Sequence, residues 1–183
     1  MTANEWSLDA ADGELLVKTG VTGRAAKMGH RLTIAMTEWQ ATVGSSGGKP
    51  VEAEVIVEVN SLQVRKGEGG VKGLSAPEKA LARSNALNSL DAEHFPQIRF
   101  YADDVDKSDD GYLLTGTLEI HGESNDCAID VNVEDLGDTW RLSGATEIVQ
   151  SDFGIKPYSM LLGSMKVVDS VTVSFTATRS KER

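Results

Sequence analysis

The side chains that most often carry catalysis are few in this chain of 183 residues. Three histidines, His30, His94 and His121, stand far apart, and with the single cysteine, Cys127, they form no metal-binding spacing. We expect hydrogen-bonded structural roles for the histidines. Cys127 lies in a segment of alternating polarity, which is typical of a small core residue. The sequence therefore predicts no catalytic residue, no metal site and no cofactor.

Two acidic patterns look like chemistry but do not support it. Asp152-Phe153-Gly154 spells the metal-binding tripeptide of protein kinases, yet no phosphate-binding glycine loop accompanies it. The pairs Asp103-Asp104 and Asp109-Asp110 consist of neighbours, and neighbouring side chains point to opposite faces of a strand. They are therefore poorly placed to act as paired carboxylates. We expect a protein that is not an enzyme.

Charge and hydropathy exclude several partners. The chain carries 18 basic and 28 acidic residues, a formal net charge of −10. Such a surface repels phosphate backbones, so we expect no nucleic-acid partner. No apolar run exceeds three residues, which predicts no stable membrane insertion. The first residues lack the basic and apolar regions of a secretory signal, so we expect a cytoplasmic protein, although a secreted protein after signal removal would look the same.

A repeat of two residues dominates the chain. In residues 51–59 the odd positions are valine or alanine, whereas the even positions are mostly glutamate. This alternation recurs in regularly spaced segments and predicts a mainly β single domain over residues 1–183, a sandwich or a barrel. The eight predicted strands are residues 14–19, 32–43, 51–59, 98–104, 112–120, 127–133, 139–149 and 171–178. In the second of them the phase shifts near Trp39, which indicates a bulge.

One segment departs from this repeat. Ser75 and Glu78 form a capping box, and Pro77 suits a first helical turn. Apolar residues at helical spacing follow, which predicts one helix at about residues 76–90. The preceding residues 65–73 contain four glycines, and we expect a mobile loop there.

Six short stretches resemble motifs of the YceI-like family of lipocalin-like, polyisoprenoid-binding proteins. They follow one another in the same order and with similar spacing, at residues 6–9, 29–34, 61–64, 90–100, 114–122 and 151–155. The resemblance implies an eight-stranded antiparallel lipocalin-like β-barrel with the helix near one end. The chain departs from the family in the turn at residues 122–125, which lacks a lysine, and in residues 20–28.

The resemblance also implies a function: non-catalytic binding or transport of an isoprenoid or similar long apolar lipid inside the barrel. Only ten residues are aromatic, which leaves room for a ligand among smaller side chains. The side chains expected to line the cavity are Leu32, Ile34, Met36, Val55, Val57, Leu118, Phe153, Met160, Met165 and Phe175. His30 and Arg65 are expected to meet the polar head group of the ligand.

Two alternatives remain open. An enzyme acting on a small apolar substrate would use the same cavity and would need a titratable side chain facing it. An interaction module, for instance a homodimer, would have a barrel interior filled with side chains.

Overall fold

Antiparallel strands dominate the computed structural model, which describes residues 3–182. The elements in chain order are β1 (Ala3–Asp9), β2 (Gly13–Lys18), β3 (Val21–Thr22), β4 (His30–Met36), β5 (Trp39–Ser46), β6 (Lys49–Glu58), β7 (Leu62–Gly69), α1 (Ala76–Leu90), β8 (Gln97–Lys107), β9 (Gly111–Ile120), β10 (Glu123–Asp135), β11 (Thr139–Val149), β12 (Ser159–Met160), β13 (Met165–Val167) and β14 (Ser170–Ser180). Short 3-10 helices lie at Ala26–Met28, Val59–Ser61, Gln150–Phe153 and Leu161–Gly163. The predicted helix is confirmed as α1.

The large sheet is curled, and the strands at one end of its order are continuous along the chain with the strands at the other end. Its eleven antiparallel strands follow the order β1-β5-β6-β8-β9-β10-β11-β14-β2-β4-β7, and β12, β13 and β3 form a small second sheet. The three strands at one end of this order continue directly into, or from, the three at the other end: β1 into β2, β4 into β5, and β6 into β7. This arrangement confirms the lipocalin-like class of the predicted fold.

The large sheet has eleven strands within residues 3–182, whereas eight were predicted, because each of the segments β1–β2, β4–β5 and β6–β7 counts as two strands. The long predicted strand 32–43 breaks at residues 37–38, next to Trp39, into β4 and β5. The alternation does not reveal β1 or β7. Most of β7 lies where a loop was expected, because Arg65 occupies a bulge that shifts the phase of the side chains. Gly67 and Gly69 add no side chain to the pattern.

The connections between strands fall at two opposite ends of the barrel. We call one the hairpin end, because it holds the tight turns 46–49, 107–111 and 135–139. The other, the helix end, holds the connections that carry α1 and the small sheet. The larger covering elements therefore lie at one end of the interior, which also holds the tight turn 120–123.

Helix α1 packs against the free edge of β7. The Ser75 hydroxyl accepts from the Glu78 amide at 3.3 Å and the Glu78 carboxylate accepts from the Ser75 amide at 2.8 Å, which confirms the capping box. Arg83 donates to the carbonyl groups of Leu62 and Asn60, each at 2.7 Å, and so ties the helix to the sheet edge. Within the described residues, no helix is long and apolar enough to cross a membrane.

The predicted alternation separates the interior of the barrel from its surface. On β6, Ala53 and Val57 are buried, whereas Glu54 between them forms an ion pair with the exposed Arg99 of β8. One buried cluster gathers around Phe100, and a second around Ile34 packs against Leu87 of α1. The helix therefore shares part of its packing with the inner face of the sheet.

Replacing Gly116 by alanine is expected to destabilise the barrel. Gly116 of β9 pairs with Ala102 beside a bulge in β8, and a Cβ here would collide with the carbonyl oxygen of Tyr101. We expect the Gly116→Ala variant to lose about 1–3 kcal/mol of unfolding free energy, measured by urea denaturation. Gly73→Ala is the matched control, because a Cβ there meets no atom within 4 Å. An equal loss in both variants would contradict this account.

Candidate functional site

A cavity of about 1380 Å³ runs inside the barrel. Its wall includes Gly48 and Asp109 at the hairpin end and Leu81 and Met160 at the helix end, so it extends over the length of the barrel. Pockets for drug-sized ligands usually measure about 300–1,000 Å³, and this cavity is larger. Side chains do not fill the interior, contrary to the alternative of a solid interaction module.

Nine of the ten side chains predicted to line a cavity belong to its wall. They are Leu32, Ile34, Met36, Val55, Val57, Leu118, Met160, Met165 and Phe175. Most come from strands of the large sheet, where alternate residues share the inward face. Met160 and Met165 come instead from the small sheet at the helix end.

Two of the predicted residues lie elsewhere. Phe153, in the 3-10 helix after β11, is buried in a core cluster that includes Ile155 and does not line the cavity. Arg65, in the bulge of β7, is exposed and also lies outside the cavity wall. His30 does line the cavity, and its Nε2 lies 2.6 Å from the carbonyl oxygen of Lys72. Only one of the two predicted head-group residues is therefore at the cavity.

One face of α1 forms part of the wall, and the sequence analysis missed it. The residues of this face are Glu78, Leu81, Ala82, Asn85, Ala86, Ser89 and Leu90. They recur every three or four positions, which is the spacing of a single helical face. None of the residues of α1 is buried. The small side chains leave space between helix and sheet, and the helical period was the signal available in the sequence.

Three aromatic rings line the cavity at the hairpin end, and a cation lies over each of them. The pairs are Arg179 over Trp6 at 4.3 Å, Lys181 over Trp140 at 4.2 Å and Lys107 over Tyr112 at 5.0 Å, measured to the ring centres. Such contacts contribute about 0.5–1 kcal/mol each at exposed sites. Two of the pairs, Arg179–Trp6 and Lys181–Trp140, join strand ends that are far apart in the sequence, whereas Lys107 and Tyr112 flank a single turn.

The cavity reaches the surface at the helix end. Met28, Leu81 and Met160 line the cavity, yet they are 59%, 63% and 42% exposed. Wall residues with this much accessible surface mark an opening between α1 and the small sheet.

The histidine–aspartate pair with shifted pKa values lies outside the cavity. Within residues 3–182, no group of three His, Cys, Asp or Glu side chains is arranged to hold a metal ion. A hydrogen bond of 2.8 Å between His94 and Asp91 raises the pKa of the histidine and lowers the pKa of the aspartate. Both side chains are outside the cavity wall, so this pair cannot act on a molecule inside the barrel.

The thiol of Cys127 is expected to react slowly with an aromatic disulfide reagent. Cys127 is partly buried against a core cluster, and this burial raises the pKa of the thiol. Less thiolate is then present at pH 8 than in a free cysteine, so the reaction rate should rise only at higher pH. Rates measured from pH 7 to pH 10 test this expectation and the exclusion of Cys127 as a nucleophile.

A variant in which the cysteine is moved by one residue along β10 provides the control. Ala128 lies on the exposed face of β10, so the double variant Cys127→Ala, Ala128→Cys carries an accessible thiol. This variant should react about tenfold faster at pH 8 than the wild-type protein. Equal rates in the two proteins would mean that Cys127 is not shielded.

Comparisons with known proteins agree with this architecture. BcnA of Burkholderia cenocepacia is 18% identical, with 94% of this chain and 99% of that chain covered and a TM-score of 0.69. A mutant of the Campylobacter jejuni YceI protein is 15% identical, with 82% and 85% covered and a TM-score of 0.62. These similarities concern the fold alone, and no match is found among the curated proteins. The family model of the YceI-like domain matches residues 6–178, and the chain therefore belongs to the YceI-like family.

Proposed function

We propose that this protein is a non-catalytic carrier that binds an isoprenoid or similar long apolar lipid inside its barrel. The observation that carries the proposal is the largely apolar cavity of about 1380 Å³ along the barrel. The YceI-like family is known for a polyisoprenoid-binding fold, which supports the same class of ligand.

The wall of the cavity supplies the driving force for binding. Val55, Val173 and Phe175 line the cavity and remain only partly buried, because they border open space rather than other side chains. An apolar chain would remove this surface from water, and each buried methylene contributes about 0.8 kcal/mol. A long hydrocarbon therefore gains affinity with every carbon that fits.

The polar groups suit a ligand with one polar head. His30 and Lys166 line the cavity at the helix end, beside the opening. In the proposed complex they contact the head group, and the apolar tail extends toward the hairpin end. An isoprenoid has this form, since a small polar group is joined to a long branched chain.

Lipid extraction followed by mass spectrometry tests the proposal directly. Protein purified without detergent should release an apolar lipid in a ratio near one per chain. Delipidated protein should then take up an added isoprenoid alcohol. Protein that carries no lipid and takes up none would overturn the proposal.

Affinity is expected to rise with the length of the isoprenoid. In a series of prenyl alcohols, each methylene that becomes buried should lower the dissociation constant by a factor of about four. The constants can be measured by displacement of a fluorescent fatty acid. They should level off once the cavity is filled, whereas constants independent of length would point to binding at the surface.

A bulky side chain in the cavity should block binding. Ala82 of α1 lines the cavity, and we expect the Ala82→Trp variant to bind the fluorescent fatty acid about tenfold more weakly, because the indole occupies the ligand's space. Ala80→Trp is the matched control, since Ala80 is exposed and lies outside the cavity wall. If both variants bind like the wild type, the ligand does not occupy the space beside α1.

A further inference from the structure

We propose that the helix end docks on lipid bilayers with anionic head groups. The docking surface is formed by residues 20–30 and 153–168, which we call the rim. This proposal goes beyond the ligand inside the barrel, because it concerns the surface around the opening. A net charge of −10 over the whole chain would by itself repel anionic head groups, so the docking surface must be locally basic.

The two segments of the rim form one continuous surface. Lys166 of β13 pairs with Thr22 of β3, and the Ala25 amide donates to the carbonyl oxygen of Ser164 at 2.8 Å. A Cβ on Gly29 would collide with Met165, so the backbone of one segment lies directly against a side chain of the other. Residues that are far apart in the sequence are thus held side by side.

The rim is basic although the protein is acidic. Its residues include Arg24, Lys27, Lys156 and Lys166 and no aspartate or glutamate, whereas the whole chain has a net charge of −10. All four basic side chains are exposed. Among the side chains of residues 3–182, no carboxylate forms an ion pair with any of the four. Lys166 also lies near the carboxylate of Asp169, which borders the rim, so Arg24, Lys27 and Lys156 present the charge that is most available to an anionic surface.

The densest group of carboxylates lies at the other end of the molecule. Residues 103–110, at the hairpin end, contain five aspartates, whereas Asp152 and Asp169 border the rim singly. A negatively charged bilayer attracts the basic side chains of the rim and repels the group of five aspartates. Both effects favour an orientation in which the rim meets the membrane.

The tip of the rim carries two leucines that point into solvent. Leu161 is 51% exposed and Leu162 is fully exposed, and neither lines the cavity. Their φ angles of 53° and 55° lie in the left-handed region, which leucine rarely adopts. The turn therefore holds two large apolar side chains outward. Exposed apolar groups flanked by basic ones are typical of surfaces that enter the head-group region of a bilayer.

The position of the rim connects docking with access to the barrel. Met28, Met160 and Met165 belong to the rim and also line the cavity. A bilayer that receives Leu161 and Leu162 would therefore lie against the opening. An apolar molecule could pass between bilayer and cavity along methionine side chains, which adapt readily to different shapes.

Vesicle flotation with the full chain tests this proposal. The protein is mixed with vesicles of phosphatidylcholine alone, or of phosphatidylcholine with phosphatidylglycerol, at low and at high salt. We expect about tenfold more protein to float with the anionic vesicles at low salt. The difference should shrink at high salt, because the Debye length becomes shorter.

Two rim variants separate the apolar and the electrostatic contributions. Leu161→Asn with Leu162→Asn removes the apolar tip, and asparagine tolerates the left-handed backbone. Arg24→Glu with Lys27→Glu reverses two charges that lie outside the cavity wall. Each variant should lower binding to anionic vesicles about tenfold or more. If a double variant fails to fold, Leu162→Asn alone replaces it, since that side chain is fully exposed.

Matched controls change the same residue types at the hairpin end. Leu136 is 41% exposed in the turn between β10 and β11, and Lys49 is exposed at the start of β6. Leu136→Asn and Lys49→Glu should leave vesicle binding unchanged. A loss of binding in these controls as large as in the rim variants would overturn the proposal, because docking would then not depend on the rim.

Five further results distinguish the possible outcomes. Equal flotation with neutral and anionic vesicles would overturn the proposal, and so would rim variants that float like the wild type. Self-association of the wild type through Leu161 and Leu162 without flotation would also overturn it, since the rim would then contact a second copy.

Rim variants that still bind the fluorescent fatty acid but no longer float would support docking. Failure of the wild type to bind that probe would count against the proposed ligand alone.

Discussion

Unpaired backbone groups at the edges of a sheet must be covered, and three bent chain segments meet most of that requirement here. The segments β1–β2, β4–β5 and β6–β7 each enter the strand order twice, once near either end. The sheet can therefore curl round with only β1 and β7 left at the ends of the strand order, and α1 covers the edge of β7 through Arg83. The diameter of the cavity, its opening and the position of the helix all depend on this closure.

Local signals in the sequence account for much of the fold. The capping box at Ser75 depends on residues three positions apart, and the alternation in β6 depends on residues two positions apart. Both could be read without any knowledge of the tertiary structure. β7 could not, because its pairing with β4 is long-range and the bulge at Arg65 disrupts its phase. The breaks that raise the strand count to eleven are likewise set by barrel closure.

The candidate site was predictable in part, because some of its residues follow local sequence patterns. Alternation identifies the inward face of a strand, so Ile34, Val57 and Phe175 could be assigned to the interior. Whether that interior is filled depends on the diameter of the whole barrel, which no short segment determines. Phe153 and Arg65 were misplaced because each lies at an irregularity, a 3-10 helix or a bulge, where the period of two ends. Contacts such as Arg179 over Trp6 join residues from opposite ends of the chain.

Helix α1 packs against the edge of the sheet, and one of its faces lines the cavity. None of its residues is buried. Contacts with a molecule in the barrel would complete its packing. By mass action, a ligand that binds only when the helix is docked stabilises that docked state in proportion to its concentration and affinity. Local order in α1 and occupancy of the barrel are then linked in one equilibrium. The rate at which the helix amides exchange hydrogen with solvent would report how full the barrel is.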